Sequence, residues 1–244
     1  MPKTEFSLKF QTVENNNAGY PAVIVAAGSS SRMCGTDKQF SLLGGIPVLA
    51  RTLRAFENCA KISEITVVTR EEKIADIEKL AKSFAISKLK NVVVGGSCRE
   101  ESVKNGLILY KDSAEKVLIH DGARPLVSDK IITAVSNALT DSDSVTCAVK
   151  LKDTIKQINS DSIAVNTPDR TNLVAVQTPQ GVNVGVFLSV AENSDLSSFT
   201  DDTSVMESVG KQTLIVEGDY TNIKITTPED LAVAEAFIRK EWEA

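Results

Sequence analysis

Short apolar runs alternate with amphipathic helical stretches along the first 150 residues, and this alternation constrains the fold more than any other feature. Residues 21–27, 64–69, 91–94, 116–120 and 144–149 are short and rich in Val, Ile, Leu and Ala. Such runs, bounded by Gly, Ser and Asp, read as strands buried on both faces. Between them, residues 47–57, 71–84, 97–110 and 128–139 carry apolar side chains at helical spacing. Val48, Leu49, Leu53 and Phe56 form one stripe; Ile131, Ile132, Val135 and Leu139 form another. Ser97 and Glu100 suggest a capping box for the third helix, and Ser128 caps the fourth. The alternation predicts an α/β fold, a Rossmann-like mostly parallel sheet with helices on both faces.

The pattern breaks over residues 151–180. Residues 154–159 and 162–165 read as a hairpin around Asn159-Ser160-Asp161, an inserted β-hairpin arm at about 151–175. Helices resume at 184–193 and 202–209, and strands at 212–216 and 222–226. Thr227-Pro228-Glu229-Asp230 then opens a terminal helix with a cap, a proline and two early acids. The expected organisation is one domain, 21–244, behind an N-terminal extension, 1–20, in which Phe6, Leu8 and Phe10 could pair as a short strand. No signal-peptide core and no run of 18 apolar residues is present. The four cysteines include no C-x-x-C pair and read as reduced thiols. A cytoplasmic protein without membrane partners is expected.

Ligands of open α/β sheets bind at the carboxyl ends of the strands. The first such loop runs Ala26-Ala27-Gly28 to Lys38, rich in Ser, with Arg32 inside it. Backbone N–H groups in such a loop can cradle phosphate oxygens, and Arg32 and Lys38 add positive charge. A surface turn with incidental charges is the plain alternative. The loop is neither a G-x-G-x-x-G dinucleotide fingerprint nor a Walker loop, which argues against an NAD-dependent enzyme. After the fourth strand, His120-Asp121-Gly122-Ala123-Arg124-Pro125 places an acid at a strand end. Mg²⁺ usually takes one or two carboxylates plus substrate phosphates; Asp121 fits that role or an Asx-type turn. His120, by strand alternation, faces away from Asp121 and reads as a hydrogen-bonded core residue. It is the only histidine, so sites with several His ligands are excluded. A net charge of −5 argues against a nucleic-acid coat but permits a small anionic ligand.

Taken in order, these segments resemble the 2-C-methyl-D-erythritol 4-phosphate cytidylyltransferase family. The likeness runs from about residue 21 to the C-terminus. It rests on Ala26-Ala27-Gly28, Arg32-Met33, Lys38-Gln39-Phe40, Gly95-Gly96 with Arg99 and Ser102, and His120 to Pro125. It continues through Lys152-Asp153-Thr154, Asp169-Arg170, Gln177-Thr178-Pro179-Gln180, Thr200-Asp201 and 222–231. The resemblance implies transfer of CMP from CTP to methylerythritol phosphate, releasing pyrophosphate, in a nucleotidyltransferase-type fold. It implies Arg32 and Lys38 at the α-phosphate and Mg²⁺ on Asp121, with Asp219 the nearest candidate for a second acid. Ala26, Ala27, Gly28, Gly95, Gly96, Arg99 and Ser102 would hold the nucleotide. Arg170 and Lys224 would position the acceptor, with Thr154, Arg124 and Thr178 lining its pocket. It also implies a homodimer whose arm reaches the partner's site. Two departures stand out: Ser30 replaces a usual Gly, and Asp37 replaces a usual Pro before Lys38, where it could offset that charge. The alternatives are another polyol phosphate acceptor, such as ribitol 5-phosphate, and a non-catalytic nucleotide-binding module.

The implied chemistry suits a chain with one histidine. A phosphomonoester with a second pKa near 6 is largely dianionic at neutral pH and needs no general base. It needs charge neutralisation and in-line alignment. Each unit-charge contact near 4 Å is worth roughly 4 kcal/mol at an effective dielectric of about 20. Arg32, Arg124 and Arg170 further permit bidentate phosphate contacts.

Overall fold

The computed structural model describes residues 19–28 and 37–242. The expected strand at Phe6, Leu8 and Phe10, together with Ser30, Arg32 and Cys34, lies outside the described residues. The chain runs β1 (Tyr20–Val25), a small hairpin of β2 (Leu42–Leu43) and β3 (Ile46–Pro47), α1 (Val48–Asn58), β4 (Ile62–Thr69) and α2 (Ile74–Ser83). Next come β5 (Leu89–Val94), α3 (Arg99–Leu107), β6 (Lys116–Asp121), α4 (Asp129–Leu139) and β7 (Ser144–Lys150). The arm strands β8 (Gln157–Ile158) and β9 (Ala164–Asn166) precede β10 (Val174–Asn183), α5 (Val184–Asn193), α6 (Asp202–Glu207), β11 (Thr213–Glu217) and α7 (Pro228–Trp242).

Seven strands form the central sheet in the order β11-β7-β10-β6-β1-β4-β5. All neighbours pair parallel except β10, which lies antiparallel between β7 and β6. The helices divide by face, as the strand alternation requires. Ala22 and Ile24 of β1 pack with α1, α2 and α4, whereas Val23 packs with α3, α5 and α6. Leu49, Leu53 and Phe56 of α1 are fully buried, and burial of each such side chain contributes about 1.5–3 kcal/mol. The α/β reading therefore holds, and most expected elements appear within a few residues of their expected limits.

Three expectations change. No strand forms at 222–226. Ile225 N–H donates to the Ala123 carbonyl at 2.8 Å and its side chain is buried against Leu43, Val48, Ala234 and Ile238. The chain is extended there and its sides alternate, but it joins no ladder. Conversely, residues 174–183 form the interior strand β10 despite Pro179, which would normally exclude one. The pairing with β7 jumps from Val176 to Gln180, so the proline falls where the ladder is interrupted. Finally, the α3 cap shifts by one residue: Cys98 Sγ accepts from Glu101 N–H, while Glu101 Oε2 accepts from Ser97 N–H and Oγ–H.

The arm is shorter in strand than its sequence suggests. β8 and β9 pair through Gln157↔Asn166 and Ile158↔Ala164, and Asn159 Oδ1 closes the turn by accepting from Asp161 and Ile163 N–H. Ile158, Ile163 and Val165 are 58–60% exposed there. The root of the arm is braced by Tyr220, whose hydroxyl donates to the Lys150 carbonyl at 2.8 Å and whose ring lies 3.7 Å from Lys152 Nζ.

Candidate active site

The carboxyl ends of β1 and β6 and the start of α3 enclose a cleft of about 370 Å³. A larger cavity, about 480 Å³, opens beside Tyr20, Glu64 and Lys116 at the opposite ends of the strands. The cleft is the stronger candidate because strand carboxyl ends are where open α/β sheets bind ligands. Ala27, Gly28, Lys38, Gly96, Arg99, Ser102, Asp121 and Lys224 line it, eight residues singled out from the sequence. Ala26 and Gly95 sit just behind: Ala26 is buried, and a Cβ added at Gly95 would come within 2.6 Å of the Ala27 Cβ. Only glycine lets those two loops approach so closely. Ser102 Oγ accepts from Gly96 N–H at 3.0 Å and donates to the Cys98 carbonyl at 2.9 Å, holding the Gly95-Gly96 turn over the helix start.

Asp121, at the end of β6, is the electrostatic centre. Its Oδ1 accepts from Arg99 Nε at 3.2 Å; its Oδ2 meets Arg124 Nε at 3.3 Å and Lys224 Nζ at 3.0 Å. Burial would raise its pKa, but Arg99, Lys224 and Arg124 outweigh burial and hold the carboxyl far below the usual carboxylate range. Arg99 is in turn clamped by Asp202, which receives Nη1 and Nη2 at 2.8 Å each and is itself fully buried. Burial alone would depress the Arg99 pKa, yet Asp202 and Asp121 raise it. Arg124 Nη1 donates to the Asn222 carbonyl at 2.8 Å.

A second layer fixes the turn that carries Asp121 and Arg124. His120 is fully buried. Its Nε2 lies 3.2 Å from the Arg124 carbonyl, which can only accept, so Nε2 carries the proton. Nδ1 is then an acceptor, and the Thr178 hydroxyl donates to it at 2.9 Å while accepting from Asp121 N–H at 3.1 Å. Burial pushes the His120 pKa down to about 3, against the opposing pull of Asp121. His120 is therefore the neutral core histidine its strand position suggested.

Several sequence candidates lie elsewhere. Thr178 is buried with its hydroxyl used in both directions, beneath the cleft rather than lining it. Thr154 is exposed on the arm, and Arg170 at the arm's far root donates to the Lys152 carbonyl. Asp219 is exposed, and its Oδ1 accepts from Thr221 N–H and Oγ–H. Asp37 pairs with Arg70 at 2.6 Å. Sequence reading missed Asp202, and it assigned no role to Gln39, which lines the cleft, or to Asn222, which holds Arg124, although both stand in recognised motifs. Asp202 follows a recognised Thr200-Asp201 motif, and only its position in the first turn of α6, where it faces inward, distinguishes it from an ordinary helix-start acid.

The donor set suits a hard divalent cation. Asp121 is the only carboxylate lining the cleft among the described residues, and one carboxylate completed by substrate phosphates is the usual Mg²⁺ arrangement. No group of three or more His, Cys, Asp or Glu side chains forms an all-protein cage among the described residues. Cys59, Cys98 and Cys147 form no disulfide, and among the described residues no helix is long and apolar enough to cross a membrane.

Comparison with known proteins points the same way. Residues 21–240 match the family model described as IspD, 2-C-methyl-D-erythritol 4-phosphate cytidylyltransferase. A protein of that name from Bacillus cereus is 43% identical over 223 residues, covering 90% of this chain and 98% of its own. One from Geobacter metallireducens is 41% identical over 227 residues, covering 90% and 97%. The crystal structure of 4-diphosphocytidyl-2C-methyl-D-erythritol synthase from Anaerococcus prevotii superposes with a TM-score of 0.80 at 31% identity, over 91% of this chain and 97% of that one. The Thermus thermophilus cytidylyltransferase gives 0.71 at 26%, over 91% and 99%.

Proposed function

The chain belongs to the 2-C-methyl-D-erythritol 4-phosphate cytidylyltransferase (IspD) family, and we propose that the cleft around Asp121 is where its transfer takes place. The enzyme is a nucleotidyltransferase of isoprenoid synthesis that passes CMP from CTP to 2-C-methyl-D-erythritol 4-phosphate. The products are 4-diphosphocytidyl-2-C-methyl-D-erythritol and pyrophosphate. The shared name of the relatives favours this acceptor over ribitol 5-phosphate.

An oxygen of the acceptor phosphate attacks the α-phosphorus of CTP, and the bond to the pyrophosphate oxygen breaks. The nucleophile is already ionised, so no side chain removes a proton, and neutral His120 stays in the core. Lys38 and Arg32 offset charge at the α-phosphate; Lys224 does so at the acceptor phosphate. Ala27, Gly28, Gly96, Arg99 and Ser102 frame the nucleotide. Asp121 would hold Mg²⁺, which supplies charge neutralisation across the phosphates. The observation that carries this reading is Asp121 at a strand end, with three cations on its two oxygens and backbone loops facing it across the cleft. Asp121→Asn is expected to abolish divalent-cation-dependent turnover; full turnover in the folded variant would refute the assignment.

The arm supports a homodimer reading in a cytoplasmic enzyme. Its exposed Ile158, Ile163 and Val165 have no core of their own to cover, and Thr154 and Arg170 lie away from the cleft residues. Placed across a dimer interface, they would complete the partner's acceptor pocket. Mixing Arg170→Ala with Lys38→Ala subunits should then restore activity in heterodimers, because one of the two sites is intact. No recovery in confirmed heterodimers would contradict sharing.

A further inference from the structure

Resting on the reading that Asp121 takes up a divalent cation, we propose that Lys224 competes with that cation for the Asp121 carboxylate, and is the one positive group that leaves when the cation binds.

Three cations contact Asp121, but they are not equally free to move. Arg99 is tied at its far end to Asp202 through both Nη atoms at 2.8 Å. Arg124 is tied through Nη1 to the Asn222 carbonyl at 2.8 Å. Asp202 and Asn222 are both fully buried. A guanidinium is a rigid planar fork, so fixing its Nη atoms also fixes the Nε that faces Asp121. Lys224 has no second ion-pair or hydrogen-bond partner among the described residues. Its charge sits on a flexible four-carbon stem, and its side chain is 36% exposed against 24% for Arg99 and 12% for Arg124. The backbone beneath it is held, since Ile225 N–H donates to the Ala123 carbonyl and Ile225 is buried. Only the side chain need swing.

Occupancy of Oδ2 and like charge both favour the swing. Asp121 Oδ2 receives both Lys224 Nζ at 3.0 Å and Arg124 Nε at 3.3 Å, which uses both lone pairs of that oxygen. Mg²⁺ binds carboxylate oxygen at about 2.0–2.1 Å, and beside Oδ2 it would lie within a few ångströms of an ammonium of the same sign. Departure of Lys224 frees a lone pair and relieves the repulsion together. The displaced ammonium remains over the cleft, where an incoming phosphate monoester is its next counter-ion. The same lysine thus neutralises Asp121 before the cation arrives and the acceptor phosphate afterwards. By linkage, whatever draws Lys224 off Asp121 strengthens cation binding, and the reverse holds equally.

The test is Mn²⁺ binding to the full chain without substrates, read from the electron paramagnetic resonance signal of free Mn²⁺. Lys224→Met and Lys224→Gln keep the length of the side chain and remove its charge. Both are expected to bind Mn²⁺ at least tenfold more tightly than the unmodified protein. Equal or weaker binding in folded variants, or no detectable binding in any of the proteins, would overturn the proposal. Broadening of the Asp121 and Gly122 amide resonances by Mn²⁺ locates the ion without a further variant. Broadening there, with no gain in the Lys224 variants, refutes the competition and leaves the Asp121 cation reading standing. Tight binding that broadens neither amide refutes both.

Discussion

Thr178→Val removes one hydroxyl from beneath the site and leaves the side-chain volume nearly unchanged. That hydroxyl accepts from Asp121 N–H at 3.1 Å and donates to His120 Nδ1 at 2.9 Å. Thr178 is 4% exposed and His120 is fully buried, so water cannot take the hydroxyl's place. Each buried polar group left unpaired costs about 1–3 kcal/mol, and two are left here, giving about 2–6 kcal/mol in all. For a chain of this size each kcal/mol lowers the melting temperature by roughly 2–4 °C. The midpoint should therefore fall by about 4–24 °C, and urea denaturation should report the same loss in free energy. Thr178→Ser keeps the hydroxyl and should recover most of it. If Thr178 instead touched the acceptor, as its motif suggested, the valine variant would raise the acceptor KM and leave stability alone. A valine variant within about 0.5 kcal/mol of the parent, the range of an ordinary surface change, would refute the buried-hydroxyl argument.

Asp202→Asn should destabilise the fold by about 3 kcal/mol, the lower end for breaking a buried ion pair, because Arg99 is partly exposed and keeps Asp121; a urea-derived loss under about 1 kcal/mol would contradict the clamp. Stability should also fall with acid before the carboxylates titrate. His120 is held neutral with a pKa of about 3, against 6.5 in the unfolded chain. Its contribution is complete above the unfolded value and is lost as pH drops from there toward the folded one. One pKa unit corresponds to about 1.4 kcal/mol, so urea unfolding at pH 5 should show roughly 2 kcal/mol less stability than at pH 7. His120→Gln should flatten that dependence; a parent protein equally stable at both pH values would contradict it.

Most of the sheet and half of the site were legible because they obey local rules. The runs that became β1, β4, β5, β6 and β7 are continuous apolar segments between turn residues, and Asp121 ends one of them. The features that escaped depend on contacts distant in sequence. β10 was hidden because Gln177-Thr178-Pro179-Gln180 breaks both the apolar pattern and the proline rule, and only the interrupted pairing with β7 accommodates it. The 222–226 segment alternates as a strand would, with Ile225 inward and Lys224 toward Asp121, yet has no neighbouring strand to join. Asp202 is 103 residues from Arg99, and nothing near it in sequence announces a buried guanidinium. The Thr178 motif was recognised, but whether its hydroxyl faces substrate or core is set by His120 and the Asp121 amide together.

The most direct measurement is steady-state pyrophosphate release by the purified protein with CTP and Mg²⁺, comparing 2-C-methyl-D-erythritol 4-phosphate with ribitol 5-phosphate as acceptor. Efficient release is expected with the methylerythritol phosphate, at a kcat/KM far above that for the ribitol ester. Faster turnover of ribitol 5-phosphate, or no release with either acceptor, would contradict the assigned reaction.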